Sequence, residues 1–334
     1  MIRFGYSAPL EYIYDVEEIL RQGVLAEKFG FDSLFLSDHF HPWFSDGYAA
    51  MVWPVMTAIA AKTRLLSPIS TTATCPIIRY NPAIIAQVIA TLSVMYPNRI
   101  ALGVGAGEAL NEYPPTGEWP NPRQRLDMLT EAVYVIKQLW ENDKPINFKG
   151  DYYQLFKAKL YTKPKNKIPL YFAAGGAKSC ELAGRHGDHW ITGSTSIERL
   201  VNVLFPALKK GVEAAGKNLD EMDKVLASCI ALDESFEKAI TACKPFCGSL
   251  VPGIFKYKMY DPEEIKNQAT NISEDTITDN FIIAIQPDEI IEKLEKYAKA
   301  GINHFCIANV GPDVDRCIKI MGEKVIPYFK NIKE

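Results

Sequence analysis

The chain has 334 residues, enough for one large domain or two ordinary ones. Hydrophobic residues make up 48% of it and charged residues 23%, as in a soluble globular protein with a substantial core. The net charge is −3 with both signs interspersed, which argues against nucleic acid or a membrane surface as a partner. The sequence contains no recognisable signal peptide and no apolar run long enough to cross a bilayer, so we expect a cytoplasmic protein.

The seven cysteines and five histidines show no spacing typical of a disulfide framework or a zinc site. An odd number of scattered cysteines favours a reducing compartment. Cys243 and Cys247 are the closest pair, but no histidine lies near them in the sequence. We therefore predict no bound metal, which disfavours a zinc-dependent alcohol dehydrogenase.

Short apolar strands alternate with amphipathic helices along the whole chain. Strands are predicted at residues 2–7, 33–37, 65–71, 100–104, 169–173, 189–192, 225–231 and 304–309. Helices are predicted at 13–29, 51–61, 82–95 and around 126–140, then up to 185, up to 215, from 287, and at the end.

Two segments interrupt this alternation. Residues 145–168 predict a hairpin insertion, and residues 233–286 form a second insertion that is helical in part. No linker divides residues 1–334, and about eight β/α units are present. Because eight parallel strands joined by helical crossovers close into a ring, we predict one α/β domain with the (β/α)8 TIM-barrel fold. An open doubly wound sheet is the alternative.

A polar and aromatic cluster follows the second predicted strand directly. Residues 37–43 read Ser-Asp-His-Phe-His-Pro-Trp. A single histidine after a strand is often structural, but Asp38 precedes His39 and Trp43 lies four residues beyond it. This setting favours a proton-transfer role for His39. His41 is interpreted as a residue that shapes the turn before Pro42.

Other candidate residues follow the neighbouring strands, and the carboxyl ends of barrel strands meet at one mouth. The candidates are Thr72, Ala73 and Cys75 after strand three, Ala106, Gly107, Glu108 and Asn111 after strand four, Gly175 and Gly176 after strand five, Gly193 and Ser196 after strand six, and Cys229 at the end of strand seven. The glycines at 103, 105 and 107 lack the spacing of a dinucleotide fingerprint. They remain candidates for close approach to a cofactor or a phosphate.

Long motifs in the chain resemble the luciferase-like deazaflavin oxidoreductases. They are Ser-Asp-His-Phe-His-Pro-Trp at 37–43, Arg-Tyr-Asn-Pro-Ala at 79–83, Met-Tyr-Pro-Asn-Arg at 95–99, Gly-Val-Gly-Ala-Gly-Glu-Ala-Leu-Asn-Glu at 103–112, Phe-Lys-Gly-Asp-Tyr-Tyr at 148–153, Ala-Ala-Gly-Gly at 173–176 and Ala-Gly-Arg-His-Gly-Asp at 183–188. The resemblance covers nearly the whole chain. The branch that oxidises secondary alcohols is the most similar, and the branch that oxidises a sugar phosphate comes second.

The resemblance implies a TIM barrel, usually a homodimer, that holds coenzyme F420, an 8-hydroxy-5-deazaflavin. It implies that His39 is the base that takes the alcohol proton, that Trp43 donates its indole N–H to the oxygen, and that Glu108 completes the pocket or carries a proton. It also implies a cis peptide at Thr72–Ala73. The positions that match coenzyme contacts are Asp38, Thr72, Ala73, Cys75, Ala106, Gly107, Asn111, Gly175, Gly176 and Lys178.

Departures from the sugar-phosphate branch narrow the expected substrate. That branch holds its phosphate with basic residues, and the matching positions here are Ser196, Asn267 and Asn280. Gly193, Ser196 and the small Cys229 are the predicted substrate contacts. We expect a small secondary alcohol, such as propan-2-ol, and its ketone. A reductase of a pterin or another substrate, a deazaflavin-binding protein without catalysis, and a flavin monooxygenase remain alternatives.

Overall fold

A computed structural model describes residues 2–12 and 15–331. The strands are β1 (Arg3–Ala8), β2 (Ser33–Leu36), β3 (Ile69–Thr71), β4 (Leu102–Val104), β5 (Ile146–Lys149), β6 (Gln154–Ala158), β7 (Leu170–Ala173), β8 (His189–Gly193), β9 (Lys224–Leu232), β10 (Ile282–Ala284) and β11 (His304–Asn309). The α-helices are α1 (Val16–Lys28), α2 (Val52–Lys62), α3 (Pro82–Met95), α4 (Ala109–Thr116), α5 (Pro122–Glu141), α6 (Ala177–His186), α7 (Ile197–Arg199), α8 (Phe205–Ala214), α9 (Phe236–Cys243), α10 (Pro262–Ala269), α11 (Glu274–Asn280), α12 (Pro287–Ala300), α13 (Val314–Ile320) and α14 (Ile326–Asn331).

Eight parallel strands form a ring in the order β1, β2, β3, β4, β7, β8, β9, β11. The β3 and β4 strands are joined by parallel bridges from Ile69 to Ile100 and from Thr74 to Val104, and β11 pairs with β1. The predicted TIM barrel is therefore confirmed. The short β10 extends the sheet beside the end of β9, where Ile282 lies opposite Ile230, beyond the point at which β8 stops pairing.

Side-chain caps and early prolines fix where several helices begin. Asp15 accepts a hydrogen bond from the Glu18 N–H at the start of α1, and Asn81 does the same for Ala83 at the start of α3. Pro82 occupies the first turn of α3, where its missing N–H has no helical partner to lose. The first predicted helix was to start at Ile13, which lies outside the described residues.

Two elements near prolines differ from the predicted ones. The third strand is shorter than predicted, since it begins at Ile69, directly after Pro68, and Leu65 is exposed. No helix is predicted between the fourth strand and residue 126, but α4 forms there and carries Pro114 and Pro115 in its second half.

The helix predicted up to residue 215 is divided by a π-helical segment, Leu200–Leu204, just before Pro206. A second π-helical segment, Met321–Val325, precedes Pro327 in the same way. Since proline has no N–H to donate, the i→i−4 bond at each position is missing and the backbone adjusts before it.

Three apolar clusters make up the described core. The largest lies between the sheet and its helices. A small cluster fills the barrel interior, with Phe35 from β2, Tyr171 from β7 and Cys306 from β11 among its members. The third, which we call the mouth cluster, joins Tyr12, Trp43, Phe44 and Leu110 to buried residues of the 233–286 insertion. Among the described residues, no helix combines the length and apolarity that a membrane span needs.

Candidate active site

His39 lies on the loop of residues 37–43, which follows β2. Its Nδ1 is 3.0 Å from the carbonyl oxygen of His41. Because a carbonyl oxygen only accepts, Nδ1 carries the hydrogen and Nε2 of the neutral ring keeps its lone pair. Nε2 lies 3.6 Å from Oε2 of Glu108, which is too long for a hydrogen bond. The histidine is thus oriented by the backbone, with its basic nitrogen left available.

Trp43 and Glu108 form two walls around His39. The rings of Trp43 and His39 are 5.2 Å apart between centroids, and Trp43 is buried. No described residue accepts a hydrogen bond from the Trp43 indole N–H. Burial raises the pKa of Glu108 above its ordinary range, and the nearby His39 opposes this shift. The cluster therefore combines a free base, a free N–H donor and a carboxyl group that holds its proton more tightly than usual.

Asn111 connects the histidine loop to Glu108. Its Oδ1 accepts the backbone N–H of Phe40 at 2.8 Å, and its Nδ2 donates to Oε2 of Glu108 at 3.3 Å. These bonds occupy the amide of a residue predicted to contact the coenzyme. Asn111 therefore fixes the relative positions of two strand-end segments.

Glu11 is a buried carboxylate of the mouth that the sequence reasoning missed. It comes shortly after β1 and accepts a hydrogen bond from the hydroxyl of Ser37. Its charge contributes to the raised pKa of Glu108 and to that of Cys229. The signal was present, because Glu11 follows a barrel strand as the other candidates do.

Asp38 is held away from His39 by a different set of partners. Nη2 of Arg79 donates to the Asp38 carbonyl at 3.0 Å and to its Oδ1 at 3.1 Å, and the Tyr80 hydroxyl donates to Oδ1 at 3.2 Å. Asp38 therefore does not orient the imidazole, and Arg79 is not free to bind an external anion. The second oxygen of Asp38, Oδ2, is buried without a hydrogen-bond partner among the described residues.

The cis peptide predicted at Thr72–Ala73 is confirmed. The hydroxyls of Thr72 and Thr74 are buried and have no partner among the described residues. Gly107 has a φ of +76°, and a Cβ there would lie 2.4 Å from the Cys75 sulfur. This close approach requires glycine.

The guanidinium of Arg125 is hydrogen-bonded to the loop that follows β4. Its Nη1 donates to the carbonyls of Ala106 at 3.1 Å and Gly107 at 3.2 Å, and its Nη2 donates to that of Phe255 at 3.0 Å. Arg125 also lies 3.7 Å from the ring centroid of Trp119. It ties the predicted coenzyme loop to the 233–286 insertion.

The ends of β7 and β8 are more open. A Cβ added at Gly175 or at Gly193 would meet nothing within 4 Å. Gly176 precedes α6 as its cap, while Lys178 is exposed on that helix. Arg199 donates to the Gly175 carbonyl at 2.8 Å.

The predicted substrate contacts lie on the same side of the mouth. The Ser196 hydroxyl accepts the Arg199 N–H at 3.2 Å and so caps α7. Burial raises the pKa of Cys229 to about 12, which keeps it a neutral thiol. No bond links Ser196, Gly193 or Cys229 to His39 within the described chain, so their role as substrate contacts stays a prediction.

The sequence model of the luciferase-like monooxygenase family matches residues 2–304 of the chain. The chain belongs to this family, and the resemblance found in the sequence is confirmed. The F420-dependent glucose-6-phosphate dehydrogenase of Amycolatopsis mediterranei is 36% identical over 333 residues, covering 99% of each chain. The enzyme of the same name from Mycobacterium tuberculosis is also 36% identical, over 335 residues and 99% of each chain.

Solved structures give a more specific likeness. An F420-dependent secondary alcohol dehydrogenase in complex with an F420–acetone adduct is 46% identical, with a TM-score of 0.94 over 96% of this chain and 97% of the other. The coenzyme F420-dependent tetrahydromethanopterin reductase of Methanopyrus kandleri is 23% identical, with a TM-score of 0.80 over 98% of this chain and 99% of the other. At that identity the second likeness concerns the fold alone.

Proposed function

We propose that the protein transfers a hydride between a small secondary alcohol, such as propan-2-ol, and coenzyme F420, in either direction. The observation that carries the proposal is the free Nε2 of His39, enclosed by the Trp43 ring and the Glu108 carboxyl. An alcohol becomes a ketone by losing a hydride from carbon and a proton from oxygen. The site offers a base for that proton.

The residues at the mouth fit a polar, ring-shaped coenzyme. Buried oxygens without partners on Asp38, Thr72 and Thr74 supply hydrogen-bonding groups there. Backbone without side chains at Gly175 leaves room beside a helix start, where N–H groups suit a phosphate. The other proposed contacts are Ala73, Cys75, Ala106, Gly107, Asn111, Gly176 and Lys178. The relatives named above share F420 dependence, and we extend it to this chain as an F420-dependent oxidoreductase.

The coenzyme, when bound, supplies a carbon that accepts or returns a hydride, and the protein supplies the rest. His39 takes the hydroxyl proton at Nε2, while its Nδ1–H keeps donating a hydrogen bond to the His41 carbonyl. The Trp43 indole N–H donates to the substrate oxygen and steadies its developing charge. Burial raises the pKa of Glu108, so this carboxyl group next to the substrate oxygen is protonated more readily than an ordinary glutamate.

The substrate side lacks fixed cations at the three positions expected to hold a sugar phosphate. Ser196 caps α7, Asn267 is exposed, and the Asn280 amide donates to the Thr276 carbonyl at 2.9 Å. A phosphate dianion there would lose its charge-assisted hydrogen bonds. This supports an uncharged alcohol over glucose 6-phosphate, the substrate named for the 36%-identical relatives.

The test mixes purified protein with reduced coenzyme F420 and acetone and follows the return of the oxidised coenzyme's absorbance. Parallel reactions contain oxidised coenzyme with propan-2-ol, with glucose 6-phosphate, and with a bulky secondary alcohol. We expect turnover with acetone and propan-2-ol and none with the sugar phosphate. Turnover on glucose 6-phosphate alone would replace the alcohol with a sugar phosphate. Coenzyme binding without any turnover would favour a carrier.

We also propose that two copies of the chain associate. The outward side of α3 is exposed at Ile84 and Met95, and α3 contains no charged residue at all. Large exposed apolar side chains on a helix without charges suit the interior of a protein interface, where charged residues are depleted. Light scattering should give twice the chain mass, and Ile84→Lys should shift it to the single-chain mass.

A further inference from the structure

We propose that Arg79 and Glu112 are positioning residues for coenzyme binding, and that Glu112 makes the affinity for coenzyme F420 depend on pH. They would act by fixing the carboxylate of Asp38, which is itself a proposed coenzyme contact. This inference rests on the function proposed above.

Asp38, Arg79 and Glu112 form one buried network of hydrogen bonds and ion pairs. Oε2 of Glu112 accepts the Arg79 backbone N–H at 3.0 Å, and Oε1 lies 3.5 Å from Arg79 Nε. The other end of the same guanidinium donates twice to Asp38. The side chains of Asp38 and Glu112 are each 1% exposed, and that of Arg79 is 9% exposed. A single guanidinium therefore serves two carboxylates with almost no help from water.

Glu112 also contacts the loop that carries the other proposed coenzyme contacts. A Cβ built on Gly107 would lie 3.1 Å from Cγ of Glu112. Glu112 lies on α4 beside Asn111, and its backbone N–H donates to the carbonyl of Glu108, which precedes the helix, at 3.1 Å. The geometry connects this carboxylate to the mouth through packing as well as through Arg79.

The charges of these three residues do not balance when both carboxyl groups are ionised, because Asp38 and Glu112 then share the single positive charge of Arg79. Burial raises the pKa of Glu112 to about 7, and Arg79 opposes that shift. The remaining charged or titratable groups that act on Glu112 or feel its charge are Asp38, Cys75, Tyr80, Glu108, Arg125 and Tyr153. A pKa of about 7 places the change of charge on Glu112 near neutrality.

Protonation of Glu112 weakens coenzyme binding in two ways. Arg79 loses one of its two ionic anchors, and its whole charge then falls on Asp38. A more fully neutralised Asp38 is a poorer acceptor for a donor group of the coenzyme. The affinity for coenzyme should therefore rise as the pH rises through about 7.

The experiment measures the coenzyme F420 dissociation constant by calorimetry between about pH 5.5 and 8.5, a range that spans the titration. The proteins are the unaltered chain, Glu112→Gln, Glu112→Asp and Glu118→Gln, an exposed carboxylate just beyond α4 that serves as the matched control. We expect about tenfold weaker binding by the unaltered chain at the acidic end, as for loss of one charge-assisted bond. Glu112→Gln should bind weakly and without pH dependence, with kcat at saturating coenzyme little changed.

Glu112→Asp should keep a pH-dependent affinity with a displaced midpoint, and Glu118→Gln should match the unaltered chain. If Glu112→Gln does not fold, the Glu112→Asp profile decides in its place, and a flat profile there overturns the inference. Tight binding by the unaltered chain with no pH dependence also overturns it, as does a Glu112→Gln profile that matches the unaltered one. If the unaltered chain binds no coenzyme at any pH, the proposed function itself fails.

Discussion

The two ends of the barrel both bury charged groups, but they treat them in opposite ways. The end opposite the mouth, where the strands begin, is called the closed end. There Asp223 accepts hydrogen bonds from Arg3 at 2.9 Å, Tyr171 at 2.8 Å and His304 at 3.3 Å. The other nitrogen of His304 lies 2.8 Å from the Ser33 hydroxyl. At the mouth, buried oxygens of Asp38, Thr72 and Thr74 have no described partner.

The pKa directions repeat this contrast. Burial alone would raise the pKa of Asp223, but its hydrogen bond with His304 and nearby positive charge hold it well below its ordinary range. Burial raises the pKa values of Glu108 and Glu112 at the mouth, and their partners do not fully offset it. The closed end satisfies its charges internally and contributes to stability. The mouth keeps unsatisfied groups, as a binding site for a polar ligand requires.

The largest expected effect is on the rate at the mouth. Replacing His39 with Asn should lower the rate of hydride transfer by about 10²–10⁴-fold, because the proton acceptor is lost. Single-turnover absorbance changes would measure the rate, and calorimetry would show an unchanged coenzyme affinity. His41→Asn is the matched control, because only the backbone carbonyl of His41 orients His39. An equal loss of rate in both variants would remove His39 from the mechanism.

The next effect should appear at the closed end and spare activity. Asp223→Asn should lower the free energy of unfolding by about 3 kcal/mol, since it leaves buried donors with a weaker acceptor. Urea unfolding would measure the loss, and activity per folded molecule should stay the same. Asp315→Asn, which removes an exposed partner of Arg21, should cost nothing measurable. A large loss of turnover in folded Asp223→Asn would blur the distinction between the two ends.

A smaller effect separates backbone strain from crowding. Gly107→Ala should destabilise the protein by more than the roughly 1–2 kcal/mol typical of a left-handed conformation, because its Cβ meets the Cys75 sulfur. Gly216→Ala has a similar φ of +64° and open space around it, so it should show the conformational cost alone. Coenzyme affinity should fall in Gly107→Ala only. Equal losses in the two variants would show that the contact with Cys75 does not matter.

The smallest expected effect is on the pH dependence of the free energy of unfolding, to which two groups of residues contribute with opposite slopes. Burial lowers the pKa of His186 to about 4 and also lowers the pKa values of His189 and His304 at the closed end. Their contribution to stability is complete above the ordinary histidine value of 6.5 and is lost as the pH falls below it. The raised pKa of Glu112 acts in the other direction, because its contribution is complete below 4.5 and is lost as the pH rises through about 7.

Urea unfolding between pH 4.5 and 6.5, the interval between those ordinary values, would measure both slopes. His186→Asn should make the acid loss of stability shallower, by at most about 1.4 kcal/mol per pH unit. Glu112→Gln should make it steeper. Slopes that change in the same direction in the two variants would contradict the opposed behaviour of the two ends.

Strand-end rules were sufficient to predict the barrel and the positions of its candidate residues. The apolar runs before Asp38, Thr72 and Gly105 are buried strands, so the residues that follow them were recognisable locally. The partners of those residues were not, because Arg79 reaches Asp38 from 41 positions away in the chain. Glu11 follows a strand as the other candidates do, but it was missed because a lone carboxylate there gives no local sign that it is buried.

The 233–286 insertion could not be laid out from the sequence for a physical reason. Its apolar residues do not form one long helical stripe, since they are divided between short helices and β10. They are buried against Trp43 and Tyr12 in the mouth cluster, so their spacing reflects a distant surface rather than a local period.

The mouth cluster has a consequence for how substrate preference can change. It is a core of its own, separate from the layer between the sheet and its helices, and Trp43 is its link to the base. Mutations at Phe246 or Ile265 would therefore reshape the packing around Trp43, on the proposed substrate side, while leaving the barrel packing alone. Directed evolution toward bulkier alcohols should concentrate its changes in this cluster. It should spare Phe255, whose carbonyl binds the Arg125 that supports the proposed coenzyme loop.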